Sequence, residues 1–205
     1  MLHTDQRLRW IIKPLVFVAC LVPFGLLFHG ALYDQLGANP VERITHVTGE
    51  WTLRLLLLTL AMTPLRQLTS QVWPIRIRRM LGLFVFFYAS LHFMTWAWLD
   101  QQWQWAQIVE DISKRPYVTV GFAAWLLLLP LALTSNRWSI RRLGRRWATL
   151  HRAVYVIGAL GILHYLWLVK ADLLEPSVYA ALLILLLAVR TRRGRRVIDR
   201  KHPSF

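Results

Sequence analysis

Apolar stretches follow one another along this chain, separated by short charged segments. A helix needs about 20 mostly apolar residues to cross the hydrocarbon core of a bilayer. Six stretches come near that length: Trp10–Leu32, Trp51–Leu68, Met80–Leu99, Val118–Ser135, Leu150–Val169 and Ser177–Thr191. The pattern predicts an all-α fold, a polytopic six-helix transmembrane bundle. Residues 1–205 form one domain, without linker, repeat or second domain. Pro23, Pro64 and Pro130 fall in or near spans and are expected to kink them where neighbours satisfy the freed carbonyl.

The segments between spans alternate in charge, which sets an orientation. The N-terminus, the second and fourth connections and the C-terminal tail hold twenty Lys and Arg and only Asp5 and Asp199 as acids. They include Arg76, Arg78, Arg79, Arg141, Arg142, Arg145, Arg146, Arg152, Arg192 and Arg193. The opposite side holds Arg43, Lys114, Arg115 and Lys170 against eight acids: Asp34, Glu42, Glu50, Asp100, Glu110, Asp111, Asp172 and Glu175. Arg54 falls just inside the second span. Basic segments stay cytoplasmic, so both termini are placed inside, and an odd number of spans would break the alternation. Trp10, Trp51, Trp98, Trp147 and Trp167 lie near span ends, as an aromatic belt does.

Composition agrees: 56% of the 205 residues are hydrophobic, yet the net charge is +15. A basic chain can also bind nucleic acid, but that needs its cations on one soluble surface. Here they are dispersed between apolar runs and meet lipid headgroups instead. Cys20 is the only cysteine, which excludes an intrachain disulfide and any cysteine-based zinc or iron–sulfur site. The first apolar run is too long for a leader's apolar core and lacks a small-residue cleavage site.

The chemistry rests on histidines. His92, His151 and His164 lie in or at the edge of spans, where an ionisable side chain is costly and marks function. Neutral imidazole is also a ligand for haem iron. The third and fifth spans run in the same direction. His92 lies ~18 Å above the inner edge at Met80, and His164 lies ~21 Å above Leu150. Two imidazoles at one depth on different helices can clamp one haem, and with both axial positions filled the iron favours electron transfer. His151 is ~20 Å from His164 along its helix and cannot share that iron. It sits near the inner face without a histidine partner at its depth; Met62 and Met80 are alternative ligands there. His3 and His202 lie in polar termini. His29 and His46 lie near the outer side, at the surface or lining an outer docking or quinone site. The chain has no GxGxxG fingerprint, P-loop or HExxH. Electrons must therefore come from another protein or from a membrane-soluble carrier.

Several segments resemble a known family when taken in order. They are Leu36-Gly37-Ala38-Asn39-Pro40-Val41-Glu42, Thr48-Gly49, Thr63-Pro64-Leu65 and Arg78-Arg79-Met80-Leu81-Gly82-Leu83. After Leu91-His92 come Arg115-Pro116-Tyr117, Leu131-Ala132-Leu133-Thr134-Ser135, Leu150-His151-Arg152-Ala153-Val154-Tyr155 and His164-Tyr165-Leu166-Trp167. In this order, and nearly end to end, they resemble the MsrQ (YedZ) family of haem-binding membrane subunits, part of the ferric-reductase-like transmembrane group.

The wider group pairs two histidines on each of two helices around two stacked haems. The spacing of His151 and His164 is similar to one such pair. Before His92, Arg78 and Arg79 stand where the other pair would have its histidine. The resemblance therefore implies one haem b between His92 and His164. It leaves His151 to a second, less regular haem, or to flavin or quinone chemistry near the inner face. It also implies a bacterial inner-membrane location, quinones as donor, and a periplasmic MsrP-like molybdopterin subunit as the partner that repairs oxidised methionine in envelope proteins. An FMN is attributed to the family, but no FMN motif stands in this chain. Two other readings remain: a ferric or flavin-linked transmembrane reductase fed at the Arg-rich face, and a transporter or scaffold without redox function.

Overall fold

The computed structural model describes residues 6, 8–169 and 173–201, apart from the side chains of Arg9 and of residues 191–201. His3, Asp5, Arg7, Lys170, Asp172 and His202 therefore lie outside the described residues, as do the side chains of Arg192, Arg193, Arg195, Arg196, Asp199, Arg200 and Lys201.

The described residues are helical, with no strand among them. A π-helical turn, Leu8–Ile12, leads into α1 (Lys13–Leu32). Then come α2 (Pro40–Thr69) and α3 (Trp73–Met94), which a π-helical segment, Thr95–Asp100, continues. A short α4 (Trp105–Lys114) precedes α5 (Pro116–Leu133). Two short helices, α6 (Arg137–Leu143) and α7 (Arg145–Leu150), lead to α8 (Ala153–Leu168) and α9 (Leu174–Lys201). The helices α1, α2, α3, α5, α8 and α9 correspond to the six apolar stretches. By length and composition alone, three segments among the described residues can cross a membrane: Trp10–Leu32, Trp73–Asp100 and Pro116–Leu133.

The second helix begins at Pro40, well before the apolar run at Trp51. Local chemistry explains this start. Asn39 caps the helix by accepting from the Glu42 N–H (3.3 Å), and its own amide donates to the Glu42 carboxylate (2.9 Å). Pro40 adds a φ suited to the first turn. The segment between α3 and α5 is also helical. Along α4, Ile108 and Asp111 are buried, Trp105 and Val109 are exposed on one side, and Glu110 and Lys114 are exposed on another. Apolar, protein-facing and charged faces on one short helix suit a membrane–water boundary.

Packing is closest between α2 and α3 and between α5 and α8. Leu55 and Leu56 of α2, Val85 of α3 and Ile157 of α8 are almost fully buried in the core. The outward surface is apolar: Leu15, Leu26, Leu32, Leu133, Leu174 and Ile184 are exposed. A surface this apolar belongs against lipid.

Helix α1 joins the others through Tyr88 of α3, which is 0% exposed. Its hydroxyl donates to the Cys20 carbonyl (2.7 Å) and accepts from the Phe24 N–H (3.1 Å). Those two groups are partners in an ordinary α-helical rung. Tyr88 is thus inserted into the hydrogen-bond ladder of α1, beside Pro23. An inserted side chain is one of the recognised causes of a helix bend.

Candidate functional site

The structure brings His92 and His164 together. Their rings lie 6.0 Å apart, centre to centre, with planes at 85°. His92 comes from the last turn of α3, just before the wide π-helical turns, and His164 from the last turns of α8.

Each ring is held in the same way. His92 Nδ1 donates to the Thr45 carbonyl on α2 (2.9 Å), and His164 Nδ1 donates to the Tyr117 carbonyl on α5 (2.7 Å). A carbonyl oxygen can only accept, so the proton is on Nδ1 and the Nε2 lone pair is free. Each ring also rests on a glycine four residues after its carbonyl partner. A Cβ on Gly49 would stand 3.1 Å from His92 Cε1, and one on Gly121 would stand 2.7 Å from His164 Nδ1. A side chain at Gly121 would force the imidazole to shift, and one at Gly49 would need it to give by a few tenths of an ångström.

The two cradles share one spacing. Each histidine lies 47 residues after its carbonyl partner. Thr45, Gly49 and His92 therefore map onto Tyr117, Gly121 and His164 by one constant displacement along the chain. No repeat was expected from the sequence, and the residues around the two cradles differ. The repetition lies in the geometry.

That displacement carries His151 onto Arg79, in line with the histidine missing before His92. His151 sits at the far end of α5 from His164. Its Nδ1 faces the Trp147 carbonyl (3.1 Å), its Nε2 faces the Leu131 carbonyl (3.2 Å), and Trp147 stacks on it at 3.9 Å. Ser135 Oγ lies 3.4 Å from Nε2. Both nitrogens are turned to protein groups, unlike those of the other two.

His46 lines a cleft of about 250 Å³ with Asn39, Glu42, Thr45, Trp96 and Asp100, and His29 packs on Tyr33 at 4.5 Å. Among the described residues no group of three or more His, Cys, Asp or Glu could hold a metal ion. What a metal would find is the imidazole pair.

Sequence reasoning missed Thr45, Gly49, Tyr117 and Gly121 as supports. Gly49 and Tyr117 do stand in the segments that carry the family resemblance. A second polar group was also missed. Arg54 on α2 donates to Glu50 (2.8 Å) and to the Tyr179 hydroxyl of α9 (3.1 Å), while Tyr165, next to His164, donates to Glu175 (2.9 Å).

Apolar helices holding an inward pair of supported imidazoles define a class of membrane protein, and the comparisons agree with it. Residues 48–162 match the family described as ferric reductase like transmembrane component. His92 and His151 fall within that match, and His164 lies two residues beyond it. Similar proteins include one from Herminiimonas arsenicoxydans, 53% identical over 191 residues, covering 92% of this chain and 88% of that protein. Another, from Xanthomonas campestris pv. campestris (strain B100), is 60% identical over 157 residues, covering 77% and 72%. A third, from Bordetella pertussis (strain Tohama I), is 53% identical over 190 residues, covering 89% and 92%. All three bear the name protein-methionine-sulfoxide reductase heme-binding subunit MsrQ. The chain belongs to the MsrQ family. No solved structure matches it.

Proposed function

We propose that this chain is the haem-binding membrane subunit of a protein-methionine-sulfoxide reductase system. It takes electrons from the quinone pool and passes them outward to a soluble periplasmic molybdopterin subunit. The membrane is the bacterial inner membrane, crossed six times, with both termini cytoplasmic. The chain itself acts on no methionine sulfoxide.

The observation that carries this reading is the donor set. Metal-bound histidines usually donate their second N–H to a carbonyl or carboxylate, which fixes the tautomer and turns the ligating nitrogen to the metal. His92 and His164 both do this. Two metal–nitrogen bonds of about 2.0–2.1 Å, with the distance from each nitrogen back to its ring centre, total roughly 6 Å. The observed 6.0 Å fits one iron between the rings. A haem held by two imidazoles supplies one-electron transfer without an open site for oxygen. His92 and His164 would hold it, and the Thr45 and Tyr117 carbonyls would keep both rings oriented. The names of the relatives give the same cofactor, and the acidic segments near this end of the bundle support a position nearest the outer face.

The test is the reduced-minus-oxidised visible spectrum of detergent-purified protein, with haem counted per chain, beside His92→Ala, His164→Ala and His151→Ala. The expected result is loss of haem with either of the first two and retention with the third. Loss of about half the haem in His151→Ala would assign His151 to a second haem. If haem is unchanged there but quinol-driven reduction or released flavin falls, His151 serves quinone or FMN chemistry. Unmutated protein that is colourless after expression with ample haem would end the electron-transfer reading.

A further inference from the structure

At the basic end of the bundle, four helices bring positive charge and hydrogen-bond donors together. Thr63 comes from α2, Arg78 from α3, Tyr155 from α8 and Arg190 from α9. The Arg190 guanidinium lies over the Tyr155 ring, 5.1 Å from its centre, and Arg78 Nη1 donates to the Thr63 hydroxyl oxygen (3.4 Å). Arg78 and Arg190 stand close enough for their charges to repel, and Tyr155 lies in the same field.

The donors there are not spent. Arg190 Nη1 is the one buried side-chain nitrogen or oxygen among the described residues without a hydrogen-bond partner. Thr63 is the one threonine of α2 whose hydroxyl does not donate to a carbonyl one turn back; Thr45, Thr48, Thr52, Thr59 and Thr69 all do so. Among the described residues the Tyr155 hydroxyl also has no acceptor, and neither arginine forms an ion pair. The nearest acid along α2 is Glu50, roughly 20 Å from Thr63 by helical rise, and Asp199 lies roughly 13 Å past Arg190 along α9.

A buried donor without an acceptor is costly and calls for an ion or a water. Two guanidiniums and two hydroxyls suit an anion with several acceptor oxygens, and the guanidinium fork matches phosphate in shape as well as charge. Both arginines stand at the ends of apolar stretches, Arg78 before Met80 and Arg190 before Thr191, where headgroup phosphates lie. Val156 of α8 and Leu182 of α9 are exposed nearby, which gives acyl chains an apolar surface below the arginines. Basic pockets between membrane helices take anionic lipid headgroups.

We propose that Thr63, Arg78, Tyr155 and Arg190 form a site for one phosphate ester, supplied by the headgroup of an anionic phospholipid. Only the choice of the inner leaflet rests on the proposed orientation of the chain; the site does not depend on the haem reading.

The experiment adds phosphatidylglycerol, phosphatidylcholine, inorganic phosphate or FMN to the delipidated full chain, expressed with ample haem. It follows melting in detergent and counts retained lipid by native mass spectrometry. Arg78→Gln and Arg190→Gln are compared with Arg145→Gln, which removes the same charge from an exposed position. Phosphatidylglycerol is expected to raise the melting temperature, and phosphatidylcholine to raise it far less. The phosphatidylglycerol needed for half the shift should rise at least fivefold in Arg78→Gln and Arg190→Gln and stay within twofold in Arg145→Gln. Without lipid, those two variants should melt no earlier than the unmutated chain, because each removes a repulsion. If either fails to fold, Tyr155→Phe and Thr63→Val should still raise the half-point about twofold. Unaltered half-points in folded variants, equal stabilisation by phosphatidylcholine, or earlier melting of both arginine variants without lipid would each overturn the proposal. Stabilisation by inorganic phosphate or FMN and not by phosphatidylglycerol would overturn the lipid as the source. Haem lost in Arg78→Gln and Arg190→Gln but kept in Arg145→Gln would assign the arginines to haem carboxylates and overturn it too. Colourless unmutated protein that still takes up phosphatidylglycerol would end the electron-transfer reading and leave this site standing.

Discussion

The cradles of His92 and His164 are built alike and set in different surroundings. Each is a carbonyl, a glycine one turn later and an imidazole 47 residues beyond the carbonyl. The residues C-terminal to the two glycines differ. After Gly49 come Glu50 and, one turn on, Arg54, paired to each other and to α9. The corresponding places after Gly121 are Phe122 and Leu126, both apolar. The His92 half also carries Tyr88 and, through it, α1. Holding an imidazole thus needs only the cradle, and the polar and aromatic additions on one side tie further helices to it.

The largest effect should come from adding one carbon to each cradle. Gly121→Ala would bring its Cβ within 2.7 Å of His164, against 3.1 Å for Gly49→Ala and His92. Overpacking costs about 1–3 kcal/mol, the tighter site taking the upper end. Haem per chain should fall about tenfold or more in Gly121→Ala and remain above half in Gly49→Ala. Equal losses would mean that the cradles tolerate strain alike.

Making the first half resemble the second is the next test. Arg54→Leu removes the donor to Tyr179 and leaves Glu50 unpaired. Both side chains are partly exposed, which lowers the worth of the pair to about 1 kcal/mol. Melting in detergent should come a few degrees earlier, with an unchanged haem spectrum. A changed spectrum would show that α9 governs the imidazoles.

Tyr88→Phe should cost about 0.5–1.5 kcal/mol, the worth of an ordinary hydrogen bond, because Cys20 and Phe24 can then close their own rung. Hydrogen exchange at the Phe24 amide should stay slow; fast exchange would mean that α1 cannot straighten.

The smallest effect is expected on α4, where Lys114 bonds Glu110 at 2.6 Å and holds its carboxyl below the usual range. A depressed carboxyl stabilises the fold above its ordinary pKa, and the effect fades as pH falls through the folded value. Lys114→Ala should melt marginally earlier at pH 7 and together with the unmutated chain in acid. Both groups are exposed, so a large difference would show a contact absent from this structure.

Much of this was legible in the sequence, to differing depths. Apolar runs mark where helices lie because lipid leaves the backbone no other way to satisfy itself. They do not mark where helices end. Glu42, Arg43, His46 and Glu50 interrupt the run that starts α2, and only the Asn39–Pro40–Glu42 cap signals it. Helix α4 is hidden because its apolar face is short. The His92–His164 pair could be found by counting rises from the span edges, since depth is a property of one helix. Their supports could not, because a glycine beneath an imidazole belongs to two helices at once. The constant spacing stood in the sequence throughout, but it acquires meaning only when Thr45 and Tyr117 are known as partners.

The imidazole pair also has a consequence for biogenesis. Its members come from α3 and α8, so most of the chain must be made before both exist. At about 5–20 residues per second, the first cradle waits roughly 4–14 s for its counterpart. During that interval His92, already seated on Gly49, is a finished half-site with nothing opposite. On the proposed reading, haem held by this pair would load late in synthesis, as a step that closes the bundle and does not nucleate it.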